Sequence, residues 1–334
     1  MKILLLNTYD QTGGAAKSAY RLLRGLRDAG VESTMLVQTK TSDDPSVISP
    51  ESRIQRGFSL LRPALDGIPL APYRSRETPI FSPQWLPDSV PGKIADLGPD
   101  VVNLHWVCHG FLRLESVVRM GKPLVWTLHD SWPFTGGCHL PFDCIRYTDS
   151  CGHCPQLGSR KPDDLSRRVW KRKASGWRGV QFTLVAPSRW MAGCARASSL
   201  FRDFRIEVIP NGLNIHLYKP IDKGYARSLL NLPEDKHLLL FGTMGATQDK
   251  NKGFHHLVAA LHRMKDSGWR EKMDLVLFGT SSLAGHEIPG FKIHVLGRLH
   301  DDTSLALAYA ASDSFIALLA SSPFTSSAGR PPPA

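Results

Sequence analysis

A short apolar strand, a glycine loop and an amphipathic helix open this chain, and that succession constrains the fold more than any other feature. Lys2–Asn7 carries the run Ile3-Leu4-Leu5-Leu6, Asp10-Gln11-Thr12-Gly13-Gly14 forms a polar loop, and Ala15–Ala29 places Ala19, Leu22, Leu23 and Leu26 at helical spacing. Gly30 ends that helix and Val31–Gln38 reads as the next strand. Strands joined through a helix lie parallel, with a right-handed crossover. The helix that starts at Gly13-Gly14 leaves backbone N–H groups free for an anion. The glycine pair does not match the Gly-x-Gly-x-x-Gly fingerprint of dinucleotide sites.

The same alternation recurs downstream. Strands are expected at Asp100–His105, Leu124–Leu128, Phe182–Ala186 and Ile206–Ile209, with helices near Phe111–Met120 and after Ser188, before the turn Pro210-Asn211-Gly212. A second series follows: strand His237–Gly242, loop 243–253, helix Phe254–Ser267, strands Met273–Phe278 and Lys292–Leu296, and helix Ser304–Ala311. At 334 residues and 42% apolar content the chain can bury two cores. The expected fold class is therefore α/β, with two doubly wound Rossmann-like domains over residues 1–205 and 206–317. Residues 41–99, rich in Pro, Ser and Arg, read as irregular connections around the cleft.

Charge and apolar runs narrow the partners. The balance of 41 basic against 30 acidic residues, net +11, favours nucleotide phosphates, anionic lipid or another polyanion. Ile3–Leu6 is too short for the apolar region of a signal peptide, and no run reaches the length of a membrane span. A cytoplasmic location is expected, where structural disulfides are rare.

Chemistry concentrates at strand ends. Leu124–Leu128 stops at His129-Asp130, and Asp100–His105 ends in another histidine. In an open α/β sheet ligands sit outside the carboxyl ends of the strands, so these groups would face a cleft, the alternative being capped core histidines. Beyond them Cys138, Cys144, Cys151 and Cys154 are spaced by five, six and two residues, with His139 and His153 interleaved. Four thiolates can close a structural zinc site, and packed free thiols are the other reading. Cys108 and Cys194 stand apart and read as small core residues. A basic stretch from Arg160 to Arg178, interleaved with Val169, Trp170 and Trp177, suits either a lipid interface or a solvated helix face.

Taken together the motifs resemble the family 4 glycosyltransferases of the GT-B fold, in the bacterial exopolysaccharide branch related to colanic acid biosynthesis. The resemblance rests on Gly13-Gly14, Asn103-Leu104-His105-Trp106, Trp126-Thr127-Leu128-His129-Asp130, Trp132-Pro133-Phe134-Thr135-Gly136-Gly137-Cys138-His139, Cys151-Gly152-His153-Cys154-Pro155, Pro210-Asn211-Gly212, Lys252-Gly253 and Leu296-Gly297-Arg298. It implies transfer of a sugar from a nucleoside diphosphate sugar to a glycan or lipid-linked acceptor, with retention and without a catalytic metal. His129 then contacts the donor sugar, Asp130 orients His129 or meets the acceptor, and His105 lies in the same cleft. Gly13, Gly14, Asn211, Gly212, Lys252 and Gly253 fall to the donor and its phosphates. Thr243 stands where the family has an arginine, and Lys250 is the nearest substitute. Trp106, Trp132 and Phe134 are candidates to stack on a sugar.

The resemblance fades after Ala317. The family's two glutamates eight positions apart are absent, and residues 318–334 are rich in Ser, Pro and Ala without a single glutamate. The expectation is a disordered, out-of-frame tail, an incomplete second domain and a chain inactive in this form. Outside this family, a zinc-bearing basic nucleic-acid module would use the same cysteines and charge, but a nucleic-acid partner is not expected, because that reading leaves the two αβ series unexplained; a non-catalytic remnant is a third reading. Peripheral contact at the inner face of a membrane fits a lipid-linked acceptor.

Overall fold

The computed structural model describes residues 1–50, 52–76, 80–242, 252–264, 266–280, 288, 290–299 and 301–317. Two compact units divide it, Met1–Gly212 and the part from Leu213 onward.

In the first unit β1 (Lys2–Tyr9), α1 (Gly14–Asp28) and β2 (Glu32–Thr39) form the expected βαβ opening. The short strand β3 (Val47–Ile48), α2 (Arg53–Asp66), α3 (Val90–Leu97) and β4 (Val101–Leu104) follow. Then come β5 (Leu124–Thr127), α4 (Leu165–Gly176), β6 (Phe182–Ala186), α5 (Arg189–Ala197) and β7 (Arg205–Val208). The sheet order is β3-β2-β1-β4-β5-β6-β7, parallel throughout, with Leu4 opposite Thr34 and Val102, and Trp126 opposite Leu104 and Leu184. Leu4, Leu5 and Leu6 are all buried because both faces of the sheet are covered. Their alternation sorts them into two cores: Leu5 packs with Ala19, Leu23 and Met35 under α1, while Leu4 and Leu6 join Ile94, Val102, Leu104 and Trp126 on the other face.

Three expectations change here. β7 pairs with β6 through Leu184–Ile206 and Ala186–Val208, so the first unit runs to Gly212 and not to 205. The 41–99 region is largely ordered: Ser52 caps α2 by accepting the N–H of Gln55 at 3.1 Å, and α3 closes on Gly98 in the left-handed region. The helix expected near Phe111–Met120 is a 3-10 run over Leu114–Met120.

The second unit contains α6 (Lys223–Leu229), β8 (His237–Gly242), α7 (Phe254–Met264), β9 (Met273–Phe278), β10 (Ile293–Val295), α8 (Asp302–Ala311) and β11 (Ser314–Ile316). Its described strands form a parallel sheet of order β10-β9-β8-β11. Phe254, Leu257 and Leu261 of α7 cover one face against Phe241, Leu275 and Leu277, and Ala226, Ala308 and Ala311 of α6 and α8 cover the other. Among the described residues no helix is long and apolar enough to cross a membrane.

Candidate active site

All strands of the first sheet are parallel, so the segments that leave their carboxyl ends share one edge. The chain passes from β1 outward to β2 and β3, then returns to β4 on the other side of β1. That reversal between β1 and β4 opens a crevice at the strand ends. The Gly13-Gly14 loop follows β1, His105 follows β4, His129-Asp130 follows β5, and Asn211-Gly212 follows β7.

Two histidines meet there. His105 Nδ1 and His129 Nε2 are 2.9 Å apart and their rings stack with centroids at 5.2 Å, so one ring must donate and the other accept. Burial drives both toward the neutral form: His129 falls to about 4, and His105, fully enclosed and beside His129, lies well below its ordinary value. Neutral His129 can exchange a hydrogen bond with a hydroxyl group through its other ring nitrogen without adding charge, while His105, 3% exposed, holds His129 from behind.

Asp130 takes the opposite state. Burial would raise its carboxyl, but the charge and hydrogen bond of His139, the N–H of Trp132 and the indole of Trp106 outweigh burial and hold it below the usual range. Oδ2 accepts from His139 Nδ1 at 2.6 Å and from Trp106 Nε1 at 2.7 Å, and Oδ1 accepts the Trp132 N–H at 2.9 Å. Asp130 therefore orients His139 and Trp106, while the partner of His129 is His105. Of the two roles expected for Asp130, orienting His129 is not the one these contacts show.

His139 is the group that the sequence reading left outside the site. Ser82 Oγ lies 2.9 Å from His139 Nε2, giving a Ser82–His139–Asp130 chain. It has the hydrogen-bond order of a nucleophilic triad, but Ser82 is only 1% exposed, so the chain fixes the carboxylate and offers no attacking hydroxyl. Local backbone explains the arrangement. Ser82 N–H donates to Gly137 O at 2.9 Å and His139 N–H to Ile80 O at 3.3 Å, so segment 80–82 runs antiparallel to 137–139. Gly137 (φ +123°) is required there, because a Cβ would stand 2.5 Å from the Phe81 ring. His109, also beyond the sequence reading, bonds Tyr9 Oη at 2.8 Å and meets Trp106 edge-on at 4.7 Å. Burial brings it down to about 4.

The remaining candidates fall as follows. Gly13 precedes α1 at φ +94°, and Gly14 begins the helix, with no atom near either missing Cβ. Asn211 and Gly212 are exposed, and Asn211 Oδ1 accepts from Ser18 Oγ of α1 at 2.8 Å. In the second unit Gly253 is buried at φ +72° just before α7, with Lys252 half-buried beside it. Lys250 lies outside the described residues. Trp132 and Phe134 are core residues rather than sugar platforms, since they are 2% and 0% exposed. Val169 and Trp177 of the basic stretch are buried as well, while Trp170 is half-buried and Arg168 and Lys171 are exposed. Cys138, Cys144, Cys151 and Cys154 are free thiols around one small cavity.

The sequence profile of Glycosyltransferase Family 4 matches residues 12–217. The chain belongs to that family. Over 134 residues it is 33% identical to WcaC of Escherichia coli (strain K12), whose name assigns it to colanic acid biosynthesis as a glycosyl transferase; the match covers 35% of this chain and 32% of WcaC. It is 35% identical over 97 residues to D-inositol 3-phosphate glycosyltransferase of Streptosporangium roseum, covering 28% of this chain and 22% of that protein. These alignments span a third or less of each relative. Among solved structures, sucrose-phosphate synthase of Thermosynechococcus elongatus aligns with a TM-score of 0.57 at 16% identity, over 95% of this chain and 75% of that one. WaaG, a glycosyltransferase involved in lipopolysaccharide biosynthesis, aligns at 0.55 and 13% identity, over 96% and 75%. Anabaena Alr3699/HepE in complex with UDP-glucose aligns at 0.51 and 15% identity, over 96% and 74%. The family's fold, with two doubly wound units of the GT-B type, accounts for both parallel sheets.

Proposed function

We propose that the site serves transfer of a sugar from a nucleoside diphosphate sugar to a glycan or lipid-linked acceptor in polysaccharide assembly, with retention at the anomeric carbon; the inactivity expected of this form is an outcome that the test below decides. The observation that carries this reading is the neutral His105–His129 pair at the crevice beside the Gly13-Gly14 helix start, within the segment that matches the family. A departing diphosphate needs fixed positive groups, and each unit, taken by itself, offers one: the open start of α1 in the first and Lys252-Gly253 before α7 in the second. A developing oxocarbenium-like sugar needs its hydroxyls held, which a neutral imidazole does as donor or acceptor. Asp130, held by three donors, sets the position of His139 and Trp106. The UDP and UDP-glucose bound to Alr3699/HepE support a nucleotide donor, and the name of WcaC supports an exopolysaccharide product.

A lipid-linked acceptor is supported by α2. Ile54 is 85% exposed, and Phe58, Leu60 and Leu61 are also turned outward on the same helix. Such an apolar surface suits peripheral contact with lipid.

The test is incubation of the purified chain with a panel of nucleotide sugars and membrane-extracted or synthetic lipid-linked acceptors. Release of nucleoside diphosphate would be followed, and the product's anomeric configuration read by NMR. Transfer with retained configuration supports the reading. Inversion removes the retention step, and binding of none of the nucleotide sugars in thermal shift removes the donor assignment.

A further inference from the structure

The four cysteines between Cys138 and Cys154 form a cluster that sugar transfer does not use. Cys138 comes from the bridge to Phe81, Cys144 from the turn after Pro141, and Cys151 and Cys154 from one further turn, yet all four line one partly open cavity of about 20 Å³, room for a single water-sized sphere, together with Thr135 and Tyr147. Chain geometry is spent to bring them there. Cys151 (φ +51°), Gly152 (φ +100°) and His153 (φ +46°) are three successive residues in left-handed conformations, a knuckle that turns Cys151 and Cys154 toward the same point. A Cβ on Gly152 would meet Pro162 O at 2.4 Å, and one on Gly136 would meet Ser166 O at 2.3 Å, so both turns require glycine.

A hydrogen-bond donor is aimed at one of the sulfurs: the Gly136 N–H reaches Cys151 Sγ at 3.1 Å. A donor of this kind stabilises a thiolate.

Charge supplies a second, separate observation. Lys173 of α4 is fully buried; its Nζ donates to the carbonyls of Trp132 and Thr135 and sits 3.8 Å from the centre of the Trp132 ring. Thr135, one of these two carbonyl partners, lines the same cavity as the cysteines. A lysine in such a place calls for a nearby anion. A zinc ion held by four thiolates carries a net charge of −2 and would supply one beside it.

We propose that Cys138, Cys144, Cys151 and Cys154 bind one structural zinc ion that fastens the Trp132–Leu157 loop behind the Asp130–His139 contact. The reaction is Zn²⁺ with four thiols giving the tetrathiolate and four protons, with no change of oxidation state. As the side chains stand, no three metal-binding groups among the described residues are close enough to chelate. Binding therefore requires the sulfurs to turn into the cavity, to Zn–S distances of about 2.3 Å.

The experiment uses the full chain, purified under reducing conditions in zinc-supplemented buffer and then dialysed. Elemental analysis should find about one zinc per chain, and a mercurial thiol reagent should release it to a colorimetric chelator. Cys151→Ser and Cys154→Ser should each lose most of the metal, while Cys194→Ser retains it. Should those variants fail to fold, exchange of cobalt into the wild type should give a sulfur-to-cobalt charge-transfer band, and stripping of zinc should lower the melting temperature. Substoichiometric zinc, iron in its place, or recovery of the four residues as disulfides would overturn the proposal. None of these readouts depends on sugar transfer.

Discussion

At the residue scale the site is defined by which groups are denied a proton. Replacing His129 by Ala should reduce nucleoside diphosphate release by roughly two to three orders of magnitude, the usual cost of removing one preorganised hydrogen-bonding group. Undiminished turnover, in a variant shown by circular dichroism to be folded, would strike it from the site. The depressed histidines also fix an acid limit. His109 and His129 sit near 4 and His105 well below its ordinary value, which is about 6.5 in an unfolded chain. Between those values the unfolded state binds protons that the native state refuses, so stability is fully present above about pH 6.5 and falls toward pH 4, at up to ~1.4 kcal/mol per pH unit for each histidine. His109→Asn tests this cleanly: asparagine tolerates the φ of +56° at that position, and the variant should lose one proton's worth of slope in urea titrations at pH 7.5 and 5. An unaltered slope would show that His109 is protonated in the native state. His129 and Asp130 were legible because they end an apolar run. His139 was not, since its partners Ser82 and Asp130 lie 57 and 9 positions away and only the 80–82 pairing brings them together.

At the scale of elements, legibility tracks whether the buried side of an element is apolar. α1 announces itself through Ala19 and Leu23, which are buried beneath it. α2 does not, because its buried residues are Ser59 and Asp66 while Ile54, Phe58, Leu60 and Leu61 face outward, so its periodicity points the wrong way. α4 deceives in the same manner: in a run of eight basic residues between Arg160 and Arg178, Lys173 belongs to the core and Arg172 is fixed by Glu115 at 2.8 Å. The glycine pair before α1 allows a sharper test. Gly13 occupies φ +94°, ψ +165°, a region closed to residues with a Cβ, whereas Gly14 is the first helical residue and faces open space. Gly13→Ala should therefore cost about 1–3 kcal/mol through backbone strain alone. Gly14→Ala should be neutral or stabilise by up to ~1 kcal/mol. Equal effects in denaturant unfolding would mean that the loop re-forms with another backbone conformation.

At the scale of the molecule, two parallel sheets with separate cores predict two units that open independently. Each sheet draws its hydrogen bonds and apolar contacts from its own segment, Met1–Gly212 or the part from Leu213. The first has a seven-stranded sheet, and the described part of the second has four strands. The alternation of strand and helix made this plan readable, whereas the boundary did not emerge until β7 was seen to pair with β6, since a strand's partner is a property of the sheet and not of the strand. Between the units the chain from Val208 to His216 is exposed at every residue and belongs to no helix or strand beyond Val208 itself. Exposed irregular backbone is where proteases cut first. Limited trypsin or elastase digestion should nick the chain within about ten residues of Gly212 and leave the N-terminal fragment resistant, because all seven of its strands remain paired and covered. Mass spectrometry of the fragments decides the point. If first cleavage falls inside α1 or the segment from His105 to Asp130, the crevice rather than the connection is the weakest part of the fold, and its residues are not preorganised for a ligand.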